Sequence, residues 1–176
     1  MQKNNYSSLL IRLVGMICCL FIFEKNSLCQ DEKFKALFIY NFINYIDWPK
    51  KVNEKFKIAI IGNNDLATEL KSFATQKKIG TLTIIVVSSK SSADVKDCQI
   101  VFLSHNNIDE LPNLIVQSKQ NNILLITETP NSCAKGAGLN FILKNGSIKF
   151  EISKTNIESA GLKVNSGLFN LGISVN

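Results

Sequence analysis

Four short apolar runs constrain this chain more than anything else in it: Phe56 to Ile61, Leu82 to Val87, Ile100 to Leu103 and Ile123 to Ile126. Each is too short for a helix and rich in branched side chains, the pattern of a strand buried on both faces. Between them lie stretches of helical spacing. Leu66, Leu70 and Phe73 follow Asp65, which is placed to cap a helix. Leu111, Leu114 and Ile115 mark another helix, Asp109 to Lys119, with Pro112 in its first turn and the Asp109-Glu110 pair at its positive end. Ser88 to Ser92 is a polar loop. Short apolar strands alternating with amphipathic helices call for a parallel sheet covered on both faces.

The pattern changes at Gly136. Leu139 to Leu143 and Ile148 to Ile152 flank Lys144-Asn145-Gly146-Ser147, and Asn-Gly between alternating segments is a strong hairpin signal. A helical stretch near Thr155 or Asn156 then places Ile157 and Ala160 inward, and Ser166 is placed to cap a last short turn. The expected fold class is therefore α/β, with three layers: a mostly parallel sheet flanked by helices, ending in a C-terminal antiparallel hairpin.

Ahead of the strands, Lys3 and Arg12 precede an apolar run from Leu13 to Phe23, followed by Ser27-Leu28-Cys29 and abrupt charge at Asp31-Glu32-Lys33. That is the form of a secretory signal peptide, too short to span a bilayer that needs about 20 apolar residues. Residues 1–29 are read as a signal peptide cleaved after Cys29, and residues 30–176 as a single α/β domain. Cys29 follows Leu28 and Cys18 follows Ile17, where a lipidation site would want a small residue.

Without the leader, 17 basic and 13 acidic side chains remain, a net +4, and no arginine is among them. No basic run exceeds two residues, which argues against nucleic acid as a partner. Cys98 and Cys133 would sit at opposite ends of a parallel sheet, roughly 17 Å apart for strands of five residues. Bridging needs less than about 7 Å, so both are expected to be unpaired.

Groups for catalysis are scarce. Gly62-Asn63-Asn64-Asp65-Leu66 has one glycine where a dinucleotide loop needs three. The lone histidine, His105, follows Ser104 without a nucleophile elbow. One histidine and two separated cysteines cannot build an ordinary zinc site. No enzyme, metal or cofactor is expected.

Two kinds of recognition remain. Phe34, Phe38, Tyr40, Phe42, Tyr45 and Trp48 crowd one helical segment, Asp31 to Asp47, which should stop at Trp48-Pro49. Most of that surface should pack on the sheet; Tyr40, Asn41 and Trp48 are the candidates for contact with a protein partner. A small ligand would instead meet the C-terminal edge of the parallel strands, at Asn63, Asn64, Ser104, His105, Thr127 and Glu128.

Several stretches resemble a known family. Lys35-Ala36-Leu37-Phe38-Ile39-Tyr40-Asn41-Phe42 followed by Trp48-Pro49 is similar to the opening of the YfiR-type periplasmic regulators (YfiR/HmsC-like). So are Ile58-Ala59-Ile60-Ile61-Gly62-Asn63-Asn64 and Cys98-Gln99-Ile100-Val101-Phe102-Leu103-Ser104. The tail adds Gly138-Leu139-Asn140-Phe141, Phe150-Glu151-Ile152 and Ala160-Gly161-Leu162-Lys163-Val164. The resemblance runs from about Phe34 to Leu171. It implies a periplasmic binding protein that docks on and restrains an inner-membrane enzyme, either a diguanylate cyclase, whose release favours cyclic di-GMP and biofilm, or a sensor histidine kinase. A homodimer is a further expected assembly. Members with two disulfides use four cysteines; here only Cys98 matches such a position, so redox control is not expected.

Overall fold

The computed structural model describes residues 30–49, 55–76 and 80–175. The leader expected over 1–29 lies outside the described residues. Helix α1 runs through residues 30–42, followed by β1 (Ile46–Asp47), β2 (Lys55–Ile61), α2 (Asn64–Gln76) and β3 (Thr83–Ser89). A 3-10 turn (Ser92–Asp94), β4 (Ile100–Leu103), a second 3-10 segment (His105–Glu110), α3 (Leu111–Asn121), β5 (Leu124–Thr127) and α4 (Ser132–Lys135) come next. The chain closes with β6 (Leu139–Lys144), β7 (Ser147–Ile152), α5 (Lys154–Ser159), β8 (Lys163–Val164), α6 (Ser166–Phe169) and β9 (Ile173–Ser174).

The main sheet has the order β3-β2-β4-β5-β6-β7-β9, parallel as far as β6 and antiparallel from β6 to β7. Every residue of β4 and β5 is buried. Alternation along β2 explains the layers, because successive side chains point to opposite faces. Phe56, Ile58 and Ile60 join one core with Ala36, Ile39 and Phe42 of α1, Leu66 and Leu70 of α2, and Ile157 of α5. Ala59 and Ile61 join the other with Leu111 and Leu114 of α3. The expected three-layer α/β fold is present.

Several local readings change. α1 ends at 42, not 47. Asn44 and Tyr45 donate backbone bonds back to Asn41 and Phe42, tightening the last turn, and Ile46–Asp47 then pairs antiparallel with Lys163–Val164. Trp48 Nε1 donates to the Ile43 carbonyl at 3.1 Å, satisfying a helix-end acceptor. α2 is capped by Asn63, whose Oδ1 accepts from Leu66 N at 2.9 Å, so Asp65 only adds charge to the first turn. The strand read as ending at Val87 continues to Ser89, because β2 offers seven partners. Glu110 makes no side-chain cap; its Oε2 accepts from Ser92 N, and the Ser92 side chain together with that backbone N–H holds its carboxyl below the usual range. Asn165, not Ser166, caps α6. The sheet does not end on the hairpin, since β9 adds parallel to β7.

The hairpin itself is as expected. Asn145 (φ 52°) and Gly146 (φ 71°) both take the positive φ that a two-residue turn matched to strand twist requires. It positions Phe141 and Phe150 opposite each other across β6 and β7, where they meet Phe42 at ring separations of 6.2 and 4.9 Å. Cys98 and Cys133 are both free and buried. Burial pushes the Cys133 thiol up to about 12, with the Glu151 charge adding to it.

Two measurements follow from this packing. Phe42→Ala should lower stability by about 3–5 kcal/mol in urea titration, because the ring has core partners on three elements. Alkylation at pH 8 should leave Cys133 unmodified in the folded chain and modify it in urea, as peptide mass mapping would record.

Candidate functional site

The strand order puts the chain's change of direction between β2 and β4: it leaves β2 for β3 on one side and returns to the other side as β4. Open α/β sheets bind ligands at such a point, just beyond the strand ends. Here Gly62 (φ 81°) and Ser104 flank it. Ser104 is buried and donates its N–H to Ile61 O at 2.9 Å. The 3-10 segment after β4 kinks at Asn107 (φ −116°, ψ 25°), and a β-carbon at Gly62 would collide with Asn107 Oδ1. The protein's own amide therefore occupies the crevice, and glycine is needed at 62 to admit it.

Several of the neighbouring expected ligand groups are bonded internally as well. Asn63 caps α2, and the backbone carbonyl of Asn64, exposed at its start, accepts from Thr68 Oγ1. Thr127 Oγ1 donates to Asn140 Oδ1 at 2.8 Å, and Asn140 Nδ2 donates to Glu151 Oε2 at 2.9 Å, a chain of side-chain bonds across β5, β6 and β7. Glu128 Oε1 accepts from His105 N at 3.3 Å, and His105 Nδ1 lies 3.4 Å from Thr129 Oγ1.

The group that organises this edge is Lys35, which the sequence reading used only as part of a motif. It is 8% exposed, and its Nζ donates to Glu32 Oε1 at 2.8 Å and to Glu128 Oε2 at 2.6 Å. The bridge fastens α1 to the end of β5. Desolvation alone would depress the Lys35 ammonium; the hydrogen bonds from Glu128 and Glu32, aided by their charges, outweigh it and raise its pKa. Spacing offered one hint: Glu32 and Lys35 are i,i+3 neighbours on a helix. Nothing local pointed to Glu128, 93 positions away.

The expected contact residues of α1 do not converge with this edge. Tyr40 is buried, 6.3 Å from the Phe73 ring, and burial raises its hydroxyl. Trp48 is half-buried and edge-on to Phe56 at 5.0 Å. Asn41 is exposed. The aromatic surface left to solvent lies at the other end of the helix, where Phe34 is 45% exposed. It borders a groove between α1 and the β6–β7 hairpin, formed by two adjoining cavities of about 420 and 210 Å³ that share Asp31 and Ile148. Phe38 and Phe141 form apolar walls, and Leu143, 67% exposed, stands at the rim. Among the described residues, no helix is long and apolar enough to cross a membrane.

Comparison with known proteins bears on this arrangement. Residues 32–173 match the family described as YfiR/HmsC-like. No curated protein matches the chain. The solved structure of a conserved domain protein from Vibrio cholerae O1 biovar eltor superposes with a TM-score of 0.56 at 11% identity, over 82% of this chain and 60% of that one. An ABC domain from Streptococcus pneumoniae, solved in complex with L-Trp, gives 0.50 at 10% identity, over 69% and 55%. This chain thus spans little more than half the length of those two, and at such identities the likeness is one of fold.

Lys35→Met should cost about 3–5 kcal/mol, since it leaves two carboxylates facing each other without their cation. The pH dependence carries the sign. The folded pKa of Lys35 lies above its unfolded value, so its contribution is complete below the ordinary lysine range and is lost as pH rises through the folded value. Urea titrations from neutral to alkaline pH should show that loss in the native chain and a shallower one in Lys35→Met.

Proposed function

The chain belongs to the YfiR/HmsC-like family, and from that premise we propose that it is an exported regulatory protein that docks on a membrane-bound signalling enzyme and restrains it. YfiR/HmsC-like proteins are periplasmic regulators of diguanylate cyclases. In this reading residues 1–29 are removed on export and residues 30–176 act in the periplasm as one non-catalytic domain. The target is the extracytoplasmic part of a diguanylate cyclase or a sensor histidine kinase. The observation that carries the proposal is the extent of the family match, which takes in every element from α1 to the start of β9.

The groove between α1 and the hairpin is the docking surface that the geometry favours. Exposed Phe34 and Leu143 supply the large apolar anchors that carry interface energy. Asp31, Lys35 and Glu128 line the same groove and supply charge of both signs beside those anchors. Of the residues singled out in the sequence, Asn41 is open to a partner, whereas Tyr40 and Trp48 serve the interior. The groove is favoured over the C-terminal strand edge because Thr127 and the His105 backbone are bonded internally there and Asn107 stands over Gly62.

A tagged chain purified from detergent-solubilised membranes should bring down a cyclase or kinase. Phe34→Glu and Leu143→Glu should each reduce that recovery by about tenfold or more while leaving the melting temperature nearly unchanged, as expected for exposed interface anchors. Recovery of no membrane enzyme with the native chain would sink the proposal; unchanged recovery with both variants would remove the groove from it.

A further inference from the structure

The tip of the β6–β7 hairpin is chemically the least guarded part of the fold. Asn145 and Gly146 form its turn at φ 52° and 71°, and both are exposed, as are Lys144 and Ser147 beside them. Among the described residues, the Asn145 side-chain amide makes no hydrogen bond and the Gly146 N–H donates to nothing. The space around Gly146 is open: a β-carbon there would have no neighbour within 4 Å. Two other described asparagines precede a residue as small as serine, and both are held. Ser132, after Asn131, is wholly buried and gives its N–H to Thr129 O at 3.2 Å. Asn165 caps α6, its Oδ1 accepting from Gly167 N at 2.8 Å.

We propose that Asn145 is a site of spontaneous deamidation in the folded protein, and that one of its products loosens the hairpin wall of the groove. The Gly146 nitrogen loses its proton to base and attacks Asn145 Cγ. The N–Cγ bond forms, the Cγ–Nδ2 bond breaks, and the amide leaves as ammonia after taking a proton from water. A five-membered succinimide remains, which water opens without any change of oxidation state. Attack of water at Cγ gives aspartate. Attack at the Asn145 backbone carbonyl gives isoaspartate, whose main chain runs through the former side chain. Ring closure needs the turn to open, and the tip opens most easily because Lys144 and Ser147 are the last pair of the ladder.

The two products differ in consequence. Asp-Gly is itself a favoured pair for such a turn, so aspartate leaves the fold in place. Isoaspartate inserts an extra main-chain carbon into a turn whose geometry sets strand register. The pairs it disturbs first are Lys144 with Ser147 and Leu143 with Ile148. Gly146, Ser147 and Ile148 line the groove together with Asp31. Either product therefore adds a carboxylate to a groove that already holds one.

This inference does not rest on the docking proposal, and its test needs no membrane partner. The purified folded protein is held in mildly alkaline buffer and then cut at glutamate, which releases residues 129–151 with Asn131, Asn140 and Asn145 in one fragment. Mass spectrometry should find the amide converted to acid at Asn145 about tenfold or more faster than at Asn131 or Asn140, because only local opening is needed there. Electron-transfer fragmentation should show isoaspartate beside aspartate at this position, and the rate should rise with pH. In urea, Asn131 should react much faster than in the folded protein, and Asn145 little faster. Asn145→Asp should melt with the native protein, whereas aged protein enriched in isoaspartate should melt lower. An Asn145 that keeps its amide when folded yet loses it in urea would overturn the proposal. So would earlier reaction at Asn131 or Asn140, or an isoaspartate-rich protein that melts with the native one.

Discussion

Everything in this molecule follows from the need to cover a parallel strand on both faces. β4 and β5 have no polar face to give to water, so each must be roofed twice, and the helices are disposed to do so. α3 closes one side with Leu111 and Leu114. The other side is wider and falls largely to α1, whose Ala36, Ile39 and Phe42 are wholly or almost wholly buried. The excess of aromatic side chains on that helix is first a consequence of this load. What remains outside, chiefly Phe34, is a small residue of surface at one end, and that is where recognition has apolar material to use.

A helix so placed also needs an anchor against sliding, because apolar contact has no direction. Lys35 provides one. Its ammonium is held by Glu32 on its own helix and by Glu128 at the end of β5, and Glu128 in turn takes the backbone N–H of His105. One buried cation thus ties the roof of the sheet to the loops at its C-terminal edge. The same bonds commit Glu128, at the end of β5, to holding the helix in place.

Most of the fold could be read from residue patterns because its signals are local. β4 falls at Ile100 to Leu103 as its four branched and aromatic residues require, and Asn145-Gly146 turns the hairpin where the dipeptide demands it. The misreadings occur where distant partners decide. Ile46 has helical spacing, yet pairing with Val164 draws it into a strand. Ser88 and Ser89 look like loop residues, yet seven available partners on β2 hold them in the sheet. The site was less legible for the same reason. Glu128 and Thr127 were recognisable as residues at a strand end, but their commitments to Lys35 and Asn140 join positions far apart in sequence. Likewise Gly62 suggested a turn, and only the kinked backbone at Asn107 shows what it makes room for.

Phe150 sets an order of events. Its ring lies 5.5 Å from Phe38 and 4.9 Å from Phe42, near the beginning of the domain, and stands so close to Gly172, near its end, that a β-carbon there would collide. First helix and last strand are thus closed over one side chain from the hairpin between them. In any passage of the chain that proceeds from its N-terminus, α1 emerges long before the ring that it packs against. Tyr40 finds Phe73 soon after, but the Phe38 and Phe42 rings must wait about a hundred further residues for Phe141 and Phe150. This side of the core is thus sealed by contacts of long sequence separation, which places its completion late in folding.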